Sequence, residues 1–273
     1  MEFLMDQEHG DGREKKRHKG RLIKAFLIVL VCVLAAFALG LHIYASDCYH
    51  ASDDAISALQ PTDTVKTEVL ENGDALFLPD EPDAAFVFYP GGKVEADAYA
   101  PLLSRLASKG VACVLTKMPE NLAVLEPWAA DRSRSELEEA LEEAGHADAS
   151  SLPWLIGGHS LGGAMAGSYV AGHEESCQGL VLLAAYETED ISGSSLKVLL
   201  ISGTNDSVLN REKYEEALAN LAEGYEELSI PGGIHSYFGS YGMQDGDGDP
   251  GITREEQLDM TASAIASFAA SLA

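Results

Sequence analysis

The sequence predicts an α/β fold: a mainly parallel sheet flanked by helices, preceded by one N-terminal transmembrane helix. Three observations predict it. Apolar runs of strand length alternate with helical stretches from residue 63 to residue 273, the pattern of a sheet buried on both faces. Residues 151–172, SLPWLIGGHSLGGAMAGSYVAG, pass from an apolar strand through a Gly-rich turn into a small-residue helix. Residues 25–45, AFLIVLVCVLAAFALGLHIYA, carry no formal charge and are about long enough to cross a bilayer as a helix.

Taken in order, residues 1–24 form a basic head with Arg13, Lys15, Lys16, Arg17, Lys19, Arg21 and Lys24, and are expected to be disordered. Positive flanks stay in the cytoplasm, so the head is expected inside and the rest of the chain outside. A cleaved signal peptide is the rival reading. Ile43-Tyr44-Ala45 is a poor small-x-small cleavage site, and Asp47 before Cys48 makes a poor lipoprotein site, so an uncleaved anchor is expected. Residues 46–62 read as a tether.

One domain, residues 63–273, follows. Thr64–Leu70 and Ala75–Leu78, separated by Asn72-Gly73, predict an antiparallel hairpin. Ala84–Tyr89 (AAFVFY) reads as the first central strand, and Pro90-Gly91-Gly92-Lys93 follows it. A helix with Tyr99, Leu102, Leu103 and Leu106 on one face closes at Gly110. Val111–Thr116 is the next strand, and Ser133–Ala144 an acidic helix with Leu137 and Leu141 inward. After residues 151–172 come strands at Leu180–Ala184, Leu196–Ser202 and Glu226–Ile230. Thr253–Leu272 closes the chain as a helix burying Leu258, Ile265, Phe268 and Leu272, with Thr253 and Glu256 as a capping box. The insert between Ala184 and Leu196 is too short for a large helical lid, so an open site is expected.

The formal charge is −26. The first 24 residues hold more basic than acidic side chains, so the remainder is more acidic still. Such a surface repels nucleic acid and anionic polymers. No Cys/His cluster has zinc-finger spacing, so no metal is expected. Cys113 reads as a buried strand residue, and only Cys48 and Cys177 are plausible for a bridge. Asp245-Gly246-Asp247-Gly248-Asp249 matches much of a calcium loop, but its sixth position is Pro250, whose locked φ does not suit that turn. That stretch is read instead as lining the mouth of a site.

Ser160 sits at the apex of Gly158-His159-Ser160-Leu161-Gly162. Strand, tight turn with a central serine, and helix make a nucleophile elbow, which lifts the hydroxyl to the positive end of the helix. The pattern alone is weak; its context carries the weight. A serine nucleophile needs a base, and the base needs an orienting acid, in the chain order Ser, Asp/Glu, His. Asp206 follows the strand Leu196–Ser202, and His235 follows Glu226–Ile230. His235 is the only histidine after Asp206. Asp190 is the competing acid. An oxyanion hole needs pre-aimed N–H groups. Leu161 should supply one, and Gly92 or Lys93 the other.

Together these residues resemble the α/β-hydrolase superfamily. The segments GGHSLGGAMA, ISGTNDSVLN and PGGIHSYFGSYGMQDGDGDPGITREEQ are similar to its compact alpha/beta hydrolase fold-5 domain group, and more distantly to dienelactone hydrolases. The resemblance covers residues 63–273. It implies a serine hydrolase with Ser160 as nucleophile, Asp206 as acid and His235 as base. A small-molecule or lipid-like acyl substrate, an ester-like bond and no cofactor are expected. The rivals are an acyltransferase acting on a cell-envelope component and a membrane-tethered binding module without activity.

Overall fold

The computed structural model describes the backbone of residues 5–146 and 149–273, and the side chains of residues 24–146 and 149–273. The chain divides into two units, Met1–Asp47 and Cys48–Ala273.

In the first unit a single helix, α1 (Met5–Ser46), runs without interruption. Residues 5–24 were expected to be disordered and are helical; residues 1–4 lie outside the described residues. Lys, Arg and Glu are good helix formers, and extending a formed helix costs far less than starting one. Within α1, Lys24–Ser46 has a mean hydropathy of 2.8, long and apolar enough to cross a membrane. Its large apolar side chains are exposed, Phe26 and Phe37 among them.

The sequence suggested a tether over residues 46–62, of which residues 48–62 open the second unit. They are built into the domain instead. The backbone of Tyr49 bonds to Lys93 O and Glu95 N, the Ser52 N–H donates to Ser240 O, and a short helix, α2 (Asp53–Ser57), follows. The stretch is held by its backbone hydrogen bonds, a signal that hydropathy periodicity does not carry.

Eight strands then form one sheet: β1 (Val65–Val69), β2 (Ala75–Pro79), β3 (Ala84–Tyr89), β4 (Val111–Leu115), β5 (Trp154–His159), β6 (Gly179–Leu183), β7 (Lys197–Gly203) and β8 (Glu226–Ile230). Their order is β1-β2-β4-β3-β5-β6-β7-β8. The predicted hairpin is present, since β1 pairs antiparallel with β2, and β2 pairs antiparallel with β4. Every other pairing is parallel.

Side-chain alternation explains why the central strands read as unbroken apolar runs. Phe86 and Phe88 of β3 enter one core, with Leu102, Leu103 and Leu106 of α3 (Ala100–Ala107). Ala85, Val87 and Tyr89 enter the opposite core, with Leu137 and Leu141 of α4 (Ala129–Glu143) and Ala166 and Val170 of α5 (Leu161–Ala171). Tyr214 of α6 (Arg211–Ala217) joins that second core. Ile265 and Phe268 of α7 (Arg254–Ala270) join the first. Helix α7 begins with the predicted capping box between Thr253 and Glu256. Leu258, Ile265 and Phe268 are buried as expected, and Leu272 is partly buried.

The strand order also places the site. From β3 the chain moves to β4 on one side, then returns to β5 on the other. That reversal opens a crevice beyond the carboxyl ends of β3 and β5, where ligands bind in open α/β sheets. The loop Pro90–Lys93 leaves β3 there, and Ser160 leaves β5. Residues 184–196, between β6 and β7, contain no helix.

Candidate active site

Ser160 has φ 52° and ψ −123°. A non-glycine residue at positive φ is strained and persists only where its surroundings fix it. Here the Ser160 N–H donates to Leu183 O at 2.9 Å, and its C=O accepts from Ala164 N at 3.0 Å. The flanking glycines are required by close backbone approach. A Cβ at Gly158 would lie 2.4 Å from Tyr89 O, and one at Gly162 would lie 2.2 Å from Pro90 O. The turn is thereby pressed against the end of β3, at the first turn of α5.

His235 and Asp206 meet although 29 residues apart. His235 Nδ1 lies 2.9 Å from Asp206 Oδ2, and both side chains are buried. The other carboxylate oxygen, Oδ1, accepts the N–H groups of Val208 and Leu209 at 2.9 and 2.8 Å. Burial works to raise the Asp206 pKa, but the His235 hydrogen bond and charge together with those two N–H groups outweigh it. The net shift is downward, so the acid stays ionised. His235 Nε2 is buried without a hydrogen-bond partner. Ser160, Leu161, Tyr186, Val208, Leu209 and His235 line one cavity of about 320 Å³. Ser160, Asp206 and His235 are therefore brought together. Asp190 is not: it is exposed and accepts from Ser192 N and Ser192 Oγ.

The loop after β3 corrects one expectation. The Lys93 N–H donates to Asn121 O at 2.8 Å, and the Gly91 N–H donates to Tyr99 Oη at 3.0 Å. Both are engaged, so Lys93 is not an open donor. Gly92 remains. It lies against Leu161, since a Cβ there would meet Leu161 Cδ2 at 2.7 Å. The Leu161 N–H is in the first turn of α5, where amides have no partner within the helix.

The sequence profile of the Alpha/beta hydrolase family matches residues 85–259. The chain belongs to that family. Among solved structures it is similar to a soluble variant of monoglyceride lipase from Saccharomyces cerevisiae, crystallised with a substrate analog. The two are 12% identical, with 78% of this chain and 97% of that one covered and a TM-score of 0.51. It is also similar to a dienelactone hydrolase from Anabaena variabilis, with 19% identity, 76% and 96% coverage and a TM-score of 0.47. The likeness to the lipase, at 12% identity, shows the fold alone. No curated protein matches the chain.

Two features of this alpha/beta hydrolase site escaped the sequence reading. The first is a buried pair behind the elbow. Tyr99 Oη accepts from Gly91 N and lies 2.8 Å from His159 Nδ1, while the His159 ring centroid is 4.5 Å from that of His235. Burial foremost, and then the neighbouring His235 charge, push the His159 pKa well below its usual value, so this ring stays neutral. Its presence inside the elbow motif was the available signal. The second is Asp247. Its Oδ1 accepts from His235 N at 3.2 Å and Gly248 N at 2.8 Å, and its Oδ2 accepts from Ser236 N and Ser236 Oγ, both at 2.8 Å. Asn205 Nδ2 donates to Asp249 O at 2.8 Å, so the same loop also holds the segment before Asp206.

The acidic run at 245–249 thus clamps the turns that carry Asp206 and His235. Asp247→Asn replaces one acceptor oxygen with a donor aimed at groups that also donate. The expected cost is about 1–3 kcal/mol of stability, read as a lower urea midpoint at unchanged slope. Asp249→Asn is the control, because Asp249 contributes a backbone oxygen and its side chain is exposed. Equal midpoints for the two variants would remove the clamp role from the Asp247 carboxylate.

The remaining cysteine and metal expectations also change. Cys32, Cys48, Cys113 and Cys177 are all free thiols, so Cys48 and Cys177 form no bridge. The sequence contained no zinc-spaced cluster, yet Cys48, His50 and Glu95 bring three donor atoms within 4.8 Å of one another. Spacing rules missed this group because Glu95 is supplied from a segment 45 residues away.

Proposed function

We propose that this chain is a serine hydrolase that cleaves an ester-like acyl bond through an acyl-enzyme. The observation that carries the reading is His235, bonded through Nδ1 to an ionised Asp206, with an unpartnered Nε2, in a cavity that it shares with Ser160. His235 takes the Ser160 proton as the oxygen attacks the carbonyl carbon, and Asp206 holds the ring and steadies its positive form. The Leu161 and Gly92 N–H groups receive the developing oxyanion. His235 then protonates the leaving group, and a water, activated by the same ring, releases the acid. All these groups are protein atoms.

A cavity of about 320 Å³ fits a small molecule or one end of a larger one. Its walls at Leu161, Val208 and Leu209 favour an apolar acyl group. The test is a fluorophosphonate probe, which forms a covalent adduct with an activated serine. One adduct per chain, on the peptide containing Ser160, is expected; an unlabelled or differently labelled protein overturns the proposal. An ester, thioester and amide panel on residues 46–273 then reads the bond type, and added alcohols read transfer against hydrolysis.

The second part of the proposal is an anchor. Lys24–Ser46 is apolar and its large side chains are exposed, whereas a helix of that hydropathy in a soluble core is buried. Seven basic residues up to Lys24 favour a cytoplasmic N-terminus and an extracytoplasmic domain. Protease added to intact cells or spheroplasts should digest the C-terminal domain and spare an N-terminal tag, and the chain should resist carbonate extraction. A protected domain reverses the orientation. A soluble product beginning near Ser46 makes the segment a cleaved signal.

A further inference from the structure

We propose that Cys48, His50 and Glu95 form a zinc-binding site on the domain surface. The proposal is independent of the acyl-transfer reading and uses none of its residues.

The backbone sets the geometry. Cys48-Tyr49-His50 runs beside the loop after β3, with Tyr49 forming a parallel bridge to Val94. The Tyr49 N–H donates to Lys93 O at 2.8 Å, and the Glu95 N–H donates to Tyr49 O at 3.0 Å. In an extended segment, alternate side chains share a face. Tyr49 therefore points away from its two neighbours. Its ring packs 5.6 Å from that of Tyr241, and its hydroxyl accepts from Asp245 N. Cys48 and His50 are left on the other face, and the bridge brings Glu95 beside them.

The donor atoms of the three lie within 4.8 Å of one another, and His50 Nδ1 is 2.9 Å from Glu95 Oε1. In a tetrahedral zinc site, ligand atoms bound at their usual lengths are about 3.3–3.7 Å apart. The observed spacing reaches that by small side-chain rotations, with the ion replacing the proton between His50 and Glu95. The carboxylate is already oriented, because Glu95 Oε2 accepts the Ala51 N–H at 2.8 Å and leaves Oε1 directed at His50. Such outer hydrogen bonds are what fix metal-binding carboxylates.

One thiolate, one imidazole and one carboxylate suit zinc better than the hard cations, which take oxygen ligands. Three protein ligands leave the fourth position to water. An exposed His–Glu pair by itself contributes little and needs no sulfur beside it. The acidic surface further raises the local concentration of divalent cations. Binding would release the Cys48 thiol proton and fasten residues 48–51 to residues 93–95.

The test uses the untagged full chain in detergent, with Co²⁺ as the spectroscopic probe. One Co²⁺ per chain is expected, with a thiolate-to-metal charge-transfer band that Zn²⁺ abolishes. Cys48→Ser should lose the band. His50→Ala and Glu95→Gln should each weaken binding by about tenfold or more, with unchanged circular dichroism. Zn²⁺ should also slow amide exchange at Tyr49 and Glu95, the two N–H groups of the bridge. A wild-type protein without the band, a band retained in Cys48→Ser, or affinities unchanged in the other two variants would each overturn the site.

Discussion

Ser160→Ala is expected to leave a folded protein that takes no fluorophosphonate and hydrolyses its ester about 10⁶-fold more slowly in kcat. The effect is that large because the proposed machinery acts as a unit. Without the Ser160 oxygen, His235 has no proton to take, and the Leu161 and Gly92 N–H groups have no tetrahedral oxyanion to receive. The fold should be spared. Alanine keeps the Cβ, so the strain at φ 52° is the same in both proteins, and the bonds from Ser160 N and to Ser160 O are backbone bonds. Ser160→Gly makes a useful companion. It removes the Cβ that resists positive φ and should be more stable than Ser160→Ala by about 1 kcal/mol, while being equally inactive. Matched urea melts with lost labelling support the assignment. Full labelling of Ser160→Ala would refute it.

Much of this was legible because each signal was local. The strands Ala84–Tyr89 and Glu226–Ile230 could be read residue for residue, the first from its unbroken apolar run. The elbow was readable because close backbone approach restricts positions 158 and 162 to glycine, so steric need leaves a mark in the sequence. Asp206 and His235 were singled out from chain order, which the fold class supplies, and the two side chains meet. What stayed hidden depends on contacts between distant segments. The Lys93 amide is occupied by Asn121 O, a partner that no pattern around Gly91-Gly92 announces. Asp247 resembled part of a calcium loop, but its oxygens are taken by donors on His235, Ser236 and Gly248. Residues 48–62 lacked periodicity because backbone bonds to Lys93, Glu95 and Ser240 hold them.

The assignment of the acid rests on a contrast between two aspartates. Asp206 is bonded to His235 and to two backbone N–H groups, whereas Asp190 is exposed and bonded to Ser192 alone. In Asp206→Asn the carboxamide can present an NH₂ to His235 Nδ1, which favours the tautomer carrying its proton on Nε2. That nitrogen then cannot accept the Ser160 proton, and kcat should fall by about 10⁴-fold. Asp190→Asn should change kcat little. Reversed outcomes would move the acid to the earlier loop. Stability supplies a second reading. The folded pKa of Asp206 is depressed, so its ionised form stabilises the fold above the unfolded aspartate value of about 3.9, and that contribution is lost as pH falls through the folded value. The stability difference between wild type and Asp206→Asn should therefore be widest near neutral pH and shrink as the medium becomes acidic. Asp190 is exposed, and its pKa is lowered only by its hydrogen bonds to Ser192, so the urea midpoint of Asp190→Asn should depart from wild type much less than that of Asp206→Asn, and in the same direction. A difference for Asp206→Asn that stays constant into strong acid would mean that lost packing, not the charged bond to His235, accounts for it.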